Sequence, residues 1–241
     1  MARIALFGGH GRVALHLERL LADDGHETSA FIRNPDHADD VRAAGGTPVV
    51  ADVEQLDITA LTELLQGHDA VVWSAGAGGG NPARTYAVDR DAAIASMTAA
   101  REAGVRRYVM VSYFGARPDH GVPEDNSFFA YAEAKSAADA HLRGTDLEWT
   151  ILGPSALTLD PPTGRIEIAG QGARDKGQVS RADVAAVVAA VLERPETAGR
   201  TIEFNNGDIP IARRSTRSNS VRHLEVDPRN GRMPPSSNWT V

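Results

Sequence analysis

The stretch RIALFGGHGRVALHLERLLADDG, Arg3 to Gly25, decides the fold. RIALF (Arg3–Phe7) is a short apolar run ending in glycine, as a strand buried on both faces should be. Val13, Leu17, Leu20 and Leu21 then recur at helical spacing, with Gly25 past the end. Between these runs stand Gly8, Gly9 and Gly11, interleaved with His10 and followed by Arg12, Val13 and the small Ala14. Glycines let a chain turn sharply and let its backbone approach a bulky anion. The helix that follows offers unpaired N–H groups and a partial positive charge, and Ala14 permits close helix–strand packing. Strand, glycine loop and helix in that order predict a dinucleotide's diphosphate site; the glycines alone would predict only a tight turn.

Working outward, HETSAFI reads as a second strand and PDHADDVRAAGG as a helix opened by Pro35. TPVVA is a third strand, DITALTELLQG a helix with Asp57 as its N-cap, and DAVVWSAG a fourth strand. An alanine-rich helix over roughly Tyr86–Ala103 leads to RYVMVS, and the helix carrying Tyr131 leads to EWTIL. This alternation predicts an α/β fold: a Rossmann-type, doubly wound parallel sheet with helices on both faces and ligands at the carboxyl ends of the strands. After Leu152 the alternation weakens. RIEIA and TIEFN read as short strands, and SRADVAAVVAAVLERP as a helix with a capping-box-like start at Ser180 and Asp183. The expectation is one dinucleotide-binding domain over 1–211, with 152–211 as a small substrate-side lobe. The remainder, 212–241, is Arg-, Ser- and Pro-rich without periodicity. It reads as a flexible or appended tail, or else as an arm that packs on another subunit.

The 241 residues, 42% of them hydrophobic, are enough to bury a sizeable core. A net charge of −7 and a pI near 5.6 argue against general nucleic-acid binding, which needs a basic face. There are no cysteines, which excludes disulfides, cysteine nucleophiles and thiolate metal sites. The eight histidines are scattered, and no metal cluster is expected. MARIALFGG is too short to be a signal peptide, and no apolar run approaches the roughly 20 residues that span a bilayer. The expectation is a soluble cytoplasmic protein with a small-molecule substrate and neither nucleic-acid nor membrane partners; homo-oligomerisation is left open.

An acid at the end of the second strand would hold the ribose 2′-hydroxyl of NAD. Here FIRNP puts Arg33 there, which favours the 2′-phosphate of NADP over NAD. Arg12 is a candidate second cation, although both arginines could simply face solvent. Asp52, followed by Val53, is placed to meet the adenine edge. Ser74, Ala75 and Gly76 would pass beside the nicotinamide-side ribose.

Together GGHGRVA, IRNP, the Ala51–Asp52 pair, SAGAG, VMVS, YAEAK and LEWTILGPSAL resemble the short-chain dehydrogenase/reductase superfamily, and within it the atypical NmrA-like or NAD(P)H-binding branch. The resemblance covers roughly Met1 to Ile211. It implies a Rossmann-type sheet, NADP(H), and in active members a Ser–Tyr–Lys arrangement, which falls here on Ser112, Tyr131 and Lys135. It also implies a cofactor contact at Pro154. Many relatives carry arginine in an LRPG segment where this chain has Gly153 before Pro154 and Ser155 after it.

Tyr131 and Lys135, four apart, would share one face of their helix. Lys135 would hold the nicotinamide ribose and lower the Tyr131 pKa, while Ser112 would hold a substrate carbonyl. With four tyrosines and two lysines in the chain, this spacing arises by chance in roughly 3 of 100 sequences. Tyr113 is a rival proton donor, though strand alternation would send it to the opposite face. His120, in a turn-rich loop, reads as solvent-exposed rather than as an acid. Two functional classes stand: an NADP(H)-dependent oxidoreductase acting on a small carbonyl or quinone-like acceptor, and a non-catalytic NADP sensor. Nucleotide-sugar epimerase or dehydratase chemistry is a third and weaker reading.

Overall fold

A computed structural model describes residues 1–78, 80–169 and 176–212. The tail beyond Ala212 lies outside the described residues. The chain alternates as read: β1 (Arg3–Phe7), α1 (Arg12–Asp23), β2 (Glu27–Ile32), α2 (Ala38–Ala43), β3 (Thr47–Val50), α3 (Ile58–Leu65) and β4 (Ala70–Trp73). There follow α4 (Pro82–Thr85), a π-helical turn (Tyr86–Ala92), α5 (Ala93–Glu102), β5 (Arg107–Val111), α6 (Phe129–Arg143) and β6 (Glu148–Pro154). The last part comprises β7 (Ala156–Thr158), β8 (Arg165–Ile168), β9 (Gln178–Ser180), α7 (Arg181–Leu192), β10 (Arg200–Asn206) and β11 (Ile209–Pro210).

Local chemistry sets the boundaries. Gly25 adopts φ +79° and closes α1 by donating to Ala22 O at 3.0 Å while His26 N reaches Leu21 O. Asp57 caps α3 by accepting from Ala60 N at 2.8 Å. Ser180 caps α7 by accepting from Asp183 N at 3.0 Å.

The main sheet has the order β11-β8-β10-β6-β5-β4-β1-β2-β3. Strands β1 to β6 and β10 run parallel, and β8 returns antiparallel to β10. Chain order reverses between β1 and β4, so their carboxyl ends open a crevice there. Beyond Leu152 most of the chain extends this sheet rather than standing apart from it, because β10 docks along β6 and brings β8 and β11 with it. Only β7 and β9 form a separate pair.

Two apolar layers sandwich the sheet. One gathers Phe7, Phe31, Trp73 and Tyr108 with α3, α5 and α6; the other gathers Leu6, Leu17, Val72 and Phe204 with α1 and α7. Phe7 stacks on Phe31 at 4.7 Å and meets Trp73 at 5.0 Å, so three neighbouring strands lock together below the crevice. Among the described residues, no helix is long and apolar enough to cross a membrane.

Candidate active site

The crevice holds a cavity of about 260 Å³ at the switch point. Gly8 and Gly11 form its floor, Arg33 and Asn34 one wall, Asp52 and Glu54 the next, and Ser74, Ala75 and Gly76 the far side. Gly8 turns at φ +81°, and a Cβ there would stand 2.7 Å from the Ala75 backbone. At Gly11 a Cβ would come within 3.0 Å of Gly8 O. Gly9 has a different task. It packs on β2, where a Cβ would meet that of Ala30 at 2.6 Å, and it does not line the cavity.

The helix that starts here is left open. α3, α4 and α7 begin with the capping side chains Asp57, Asn81 and Ser180, whereas α1 has neither a side-chain cap nor an acid in its first turn. Its first N–H donors, those of Arg12 and Val13 included, thus have no capping side chain among the described residues. This cradle fits a diphosphate. The Val13 side chain is buried under the helix.

At the adenosine end, Arg33 reaches the cavity as read from sequence, but it is not free. Its Nη1 lies 3.2 Å from Glu54 Oε1, and Arg84 Nη2 lies 2.8 Å from the same oxygen. Asp52 Oδ1 accepts from Glu54 N at 3.1 Å, and Val53 lines the cavity beside it. His10 stacks on His37 at 3.6 Å and bonds Asp40 at 2.8 Å. The second cation expected from sequence is elsewhere: Arg12 lines a different pocket, with His16, Leu159 and Arg181. The first helical turn carries its side chain away from the adenosine side.

At the other end, α6 brings Tyr131, Lys135 and Asp139 onto one face at successive intervals of four residues. Lys135, Asp139 and Asp89 are 1%, 0% and 1% exposed. Lys135 Nζ donates to Val111 O at 2.8 Å and approaches Met110 Sδ at 3.3 Å. Burial lowers the Lys135 pKa, and Asp139 and Asp89 pull it back up. Ser112 donates its hydroxyl proton to Asp139 Oδ2 at 2.6 Å. Asp89, carried inward by the wide π-turn, accepts from Ala77 N at 3.0 Å, next to the Ser74–Gly76 wall. Burial raises the pKa of both Asp89 and Asp139, and Lys135 opposes the rise.

Three expectations are corrected here. The Tyr131 pKa is pushed up, not down: burial does most of it, followed by the charges of Asp89 and Asp139. The Lys135 ammonium is turned onto the β5 carbonyl of Val111 instead. Tyr113 does not point away; it lies past the end of β5, beyond the reach of strand alternation, and its ring sits 5.6 Å from that of Tyr131 and 5.3 Å from Phe128. Its hydroxyl is buried without a partner among the described residues. His120 is not solvent-exposed: its side chain is 5% exposed, its Nε2 lies 2.8 Å from Glu133, and its Nδ1 accepts from Val122 N at 3.0 Å. It fastens the turn-rich loop to α6.

Pro154 and Lys135 lie apart from the cavity lining. Pro154 sits in β6, paired with Phe204, and its carbonyl accepts from Phe114 N at 2.9 Å. Gly153 explains why the arginine of the related segment is missing: a Cβ would stand 2.9 Å from Glu203 Cγ and 3.1 Å from Tyr113 O. Glu203 in turn accepts from Gly115 N at 2.7 Å, tying the loop after β5 to β10. Asp139 was missed from the sequence, although the four-residue spacing that joins Tyr131 and Lys135 extends to it. Asp89, Glu54 and Arg84 carried no local signal.

Fold and cradle together define a dinucleotide-binding protein of the Rossmann type. Residues 8–195 match the model of the NAD(P)H-binding family. The chain is 32% identical over 212 residues to a Bacillus subtilis protein described as the uncharacterized sugar epimerase YhfK, covering 87% of this chain and 97% of that one. A solved structure from Bacillus halodurans, described as a putative NAD-dependent epimerase/dehydratase, superimposes with a TM-score of 0.81 at 31% identity, over 88% and 97% of the two chains. The oxidoreductase ylbE of Lactococcus lactis superimposes at 0.76 with 27% identity, over 87% and 93%. The chain belongs to the NAD(P)H-binding family, an oxidoreductase-like family, and the match supports a nicotinamide cofactor; its structural neighbours lie in the atypical short-chain dehydrogenase/reductase and NAD-dependent epimerase-like group.

Proposed function

We propose that this protein is an NADP(H)-dependent oxidoreductase that reduces a small carbonyl or quinone-like acceptor. The observation that carries the reading is the juxtaposition at the carboxyl edge of the sheet. Asp89 binds the backbone beside the Ser74–Gly76 wall and acts electrostatically on both Lys135 and Tyr131. Asp89 thus links the Ser74–Gly76 wall of the cavity to the Tyr–Lys face of α6.

The bound cofactor supplies hydride. The chain supplies the rest. The Gly8–Gly11 loop and the α1 N-terminus hold the diphosphate, Arg33 the 2′-phosphate, and Asp52 the adenine edge. A raised pKa keeps Tyr131 protonated, so its hydroxyl serves as the proton donor to the reduced oxygen. Ser112 can donate to a carbonyl only when Asp139 carries a proton and gives it to Ser112 Oγ, because otherwise the serine proton is committed to Asp139. Burial favours that protonated form of Asp139.

The same commitments favour a second reading, a non-catalytic NADP sensor, since Ser112 and Lys135 are both occupied by internal partners. The names of two relatives add a third, epimerase chemistry on a nucleotide sugar. One experiment separates the three. NADPH is mixed with panels of carbonyls, quinones and nucleotide sugars, and cofactor absorbance and sugar products are followed for wild type and Tyr131→Phe. The oxidoreductase reading expects acceptor-dependent NADPH oxidation that falls about 10²- to 10⁴-fold in Tyr131→Phe, with NADPH affinity unchanged. Tight NADPH binding without oxidation by any acceptor supports the sensor, and sugar interconversion without net oxidation supports the epimerase.

A further inference from the structure

We propose that Glu54 sets the preference of the adenosine end for one nicotinamide cofactor over the other, by occupying the guanidinium that a 2′-phosphate would take. The inference rests on the NADP(H) reading above.

The three charged groups are not equivalent. Glu54 is the deepest, with 16% of its side chain exposed against 34% for Arg84 and 56% for Arg33. Arg84 is fully committed: Nε and Nη2 lie 2.9 and 2.8 Å from Glu54 Oε1, and Nη1 donates to Ala77 O at 3.2 Å. Among the described residues, Arg33 is held by a single 3.2 Å contact, through Nη1. Glu54 itself is presented to the cavity by a turn that Asp52 fixes.

A 2′-phosphate recruiting Arg33 must therefore either break the Arg33–Glu54 contact or accept a carboxylate beside it. Both outcomes weaken binding of the phosphorylated ribose. A ribose with a free 2′-hydroxyl has no need of Arg33 and escapes the penalty. Glu54 thus narrows the gap between NADPH and NADH that Arg33 alone would open. If Glu54 served only to tie α4 to the loop after β3, its loss would affect both cofactors alike.

Kd values for NADPH and NADH, measured by isothermal titration on the full chain, test this. Glu54→Gln keeps the shape and one acceptor oxygen and removes the charge. It is expected to tighten NADPH by about three- to fivefold, the scale of one exposed ionic contact, and to leave NADH within about twofold. The gain should vanish in Arg33→Ala/Glu54→Gln and shrink at high salt. Arg33→Ala alone should weaken NADPH by about tenfold. If Arg33→Ala weakens NADPH selectively and Glu54→Gln moves both cofactors equally or neither, Glu54 is not the determinant, while the NADP(H) reading stands. If Arg33→Ala leaves NADPH binding unchanged, the NADP(H) reading fails and takes this inference with it. Glu54→Ala removes the same charge and repeats the test should the Gln variant fold poorly by circular dichroism.

Discussion

The two ends of the crevice are built by different physics. The glycine-loop end is shaped by backbone pressed on backbone: Gly8 against Ala75, Gly9 against Ala30, and Phe7 stacked on Phe31 beneath them. The α6 end is shaped by charge taken out of water: Lys135 between Asp89 and Asp139, with Ser112 bound to one of those carboxyls. The first design excludes any side chain larger than hydrogen at a few positions. The second tolerates shape changes but needs its charges kept in balance, since a buried ion that loses its counter-charge is costly.

The largest effect is expected where that balance is broken. Lys135→Met removes the cation and leaves two buried carboxyls facing each other's field. Asp89 and Asp139 already have pKa values raised above their unfolded ones. Such groups favour the folded state at low pH, and that stability is lost as pH rises through the folded pKa. Without Lys135 both pKa values rise further, so the variant's deficit grows with pH. The expected loss is about 3–5 kcal/mol at pH 8 and clearly less at pH 5, read from urea denaturation at the two pH values. Equal deficits at both pH values would mean that packing, not charge, holds this end together.

A smaller effect is expected from Gly8→Ala. The new Cβ would sit 2.7 Å from the Ala75 backbone, at a φ of +81° that an L-residue adopts only with strain. Stability should fall by about 2–3 kcal/mol and NADPH affinity by at least about tenfold, with no dependence of either on pH. A pH-dependent loss would blur the contrast between the two ends.

The contrast also explains what could be read from the chain beforehand. The first end was legible because its constraints are local: a strand, three glycines and a helix within Arg3–Asp23, then Arg33 at the end of β2 and Ser74–Gly76 after β4. The second was legible only along α6, where four-residue spacing puts Tyr131 and Lys135 in line; Asp139, one turn further, went unread. Asp89 escaped because its partners lie on α6 and a π-turn, not an ordinary helical turn, brings it inward. Glu54 and Arg84 escaped because they meet across thirty residues. Arg12 was misjudged for a simpler reason: one residue into a helix, a side chain turns by about 100°, enough to leave the cavity it borders in sequence. The joining of β8 and β10 to the main sheet was invisible, since short strands advertise their existence but not their neighbours.

The smallest effect at pH 5 is expected away from both ends of the crevice, at the amino edge of the sheet. Glu18, on α1, is 0% exposed, and neither carboxylate oxygen has a hydrogen-bond partner. It is wedged against the turn before β3, where a Cβ on Gly46 would come within 2.8 Å of Oε2. Burial pushes its pKa up from 4.5 to about 8, against a weaker pull from Arg19. In the folded state it therefore holds a proton that the unfolded chain gives up above about 4.5. Its contribution is fully present below that value and fades as pH climbs towards 8. Glu18→Gln keeps the shape and cannot ionise, so its advantage over wild type should be small at pH 5 and grow steadily towards pH 8. Thermal melts of the two proteins across that interval are the measurement. A flat difference would show that Glu18 finds a counter-charge or water in solution, and that burial does not hold its proton.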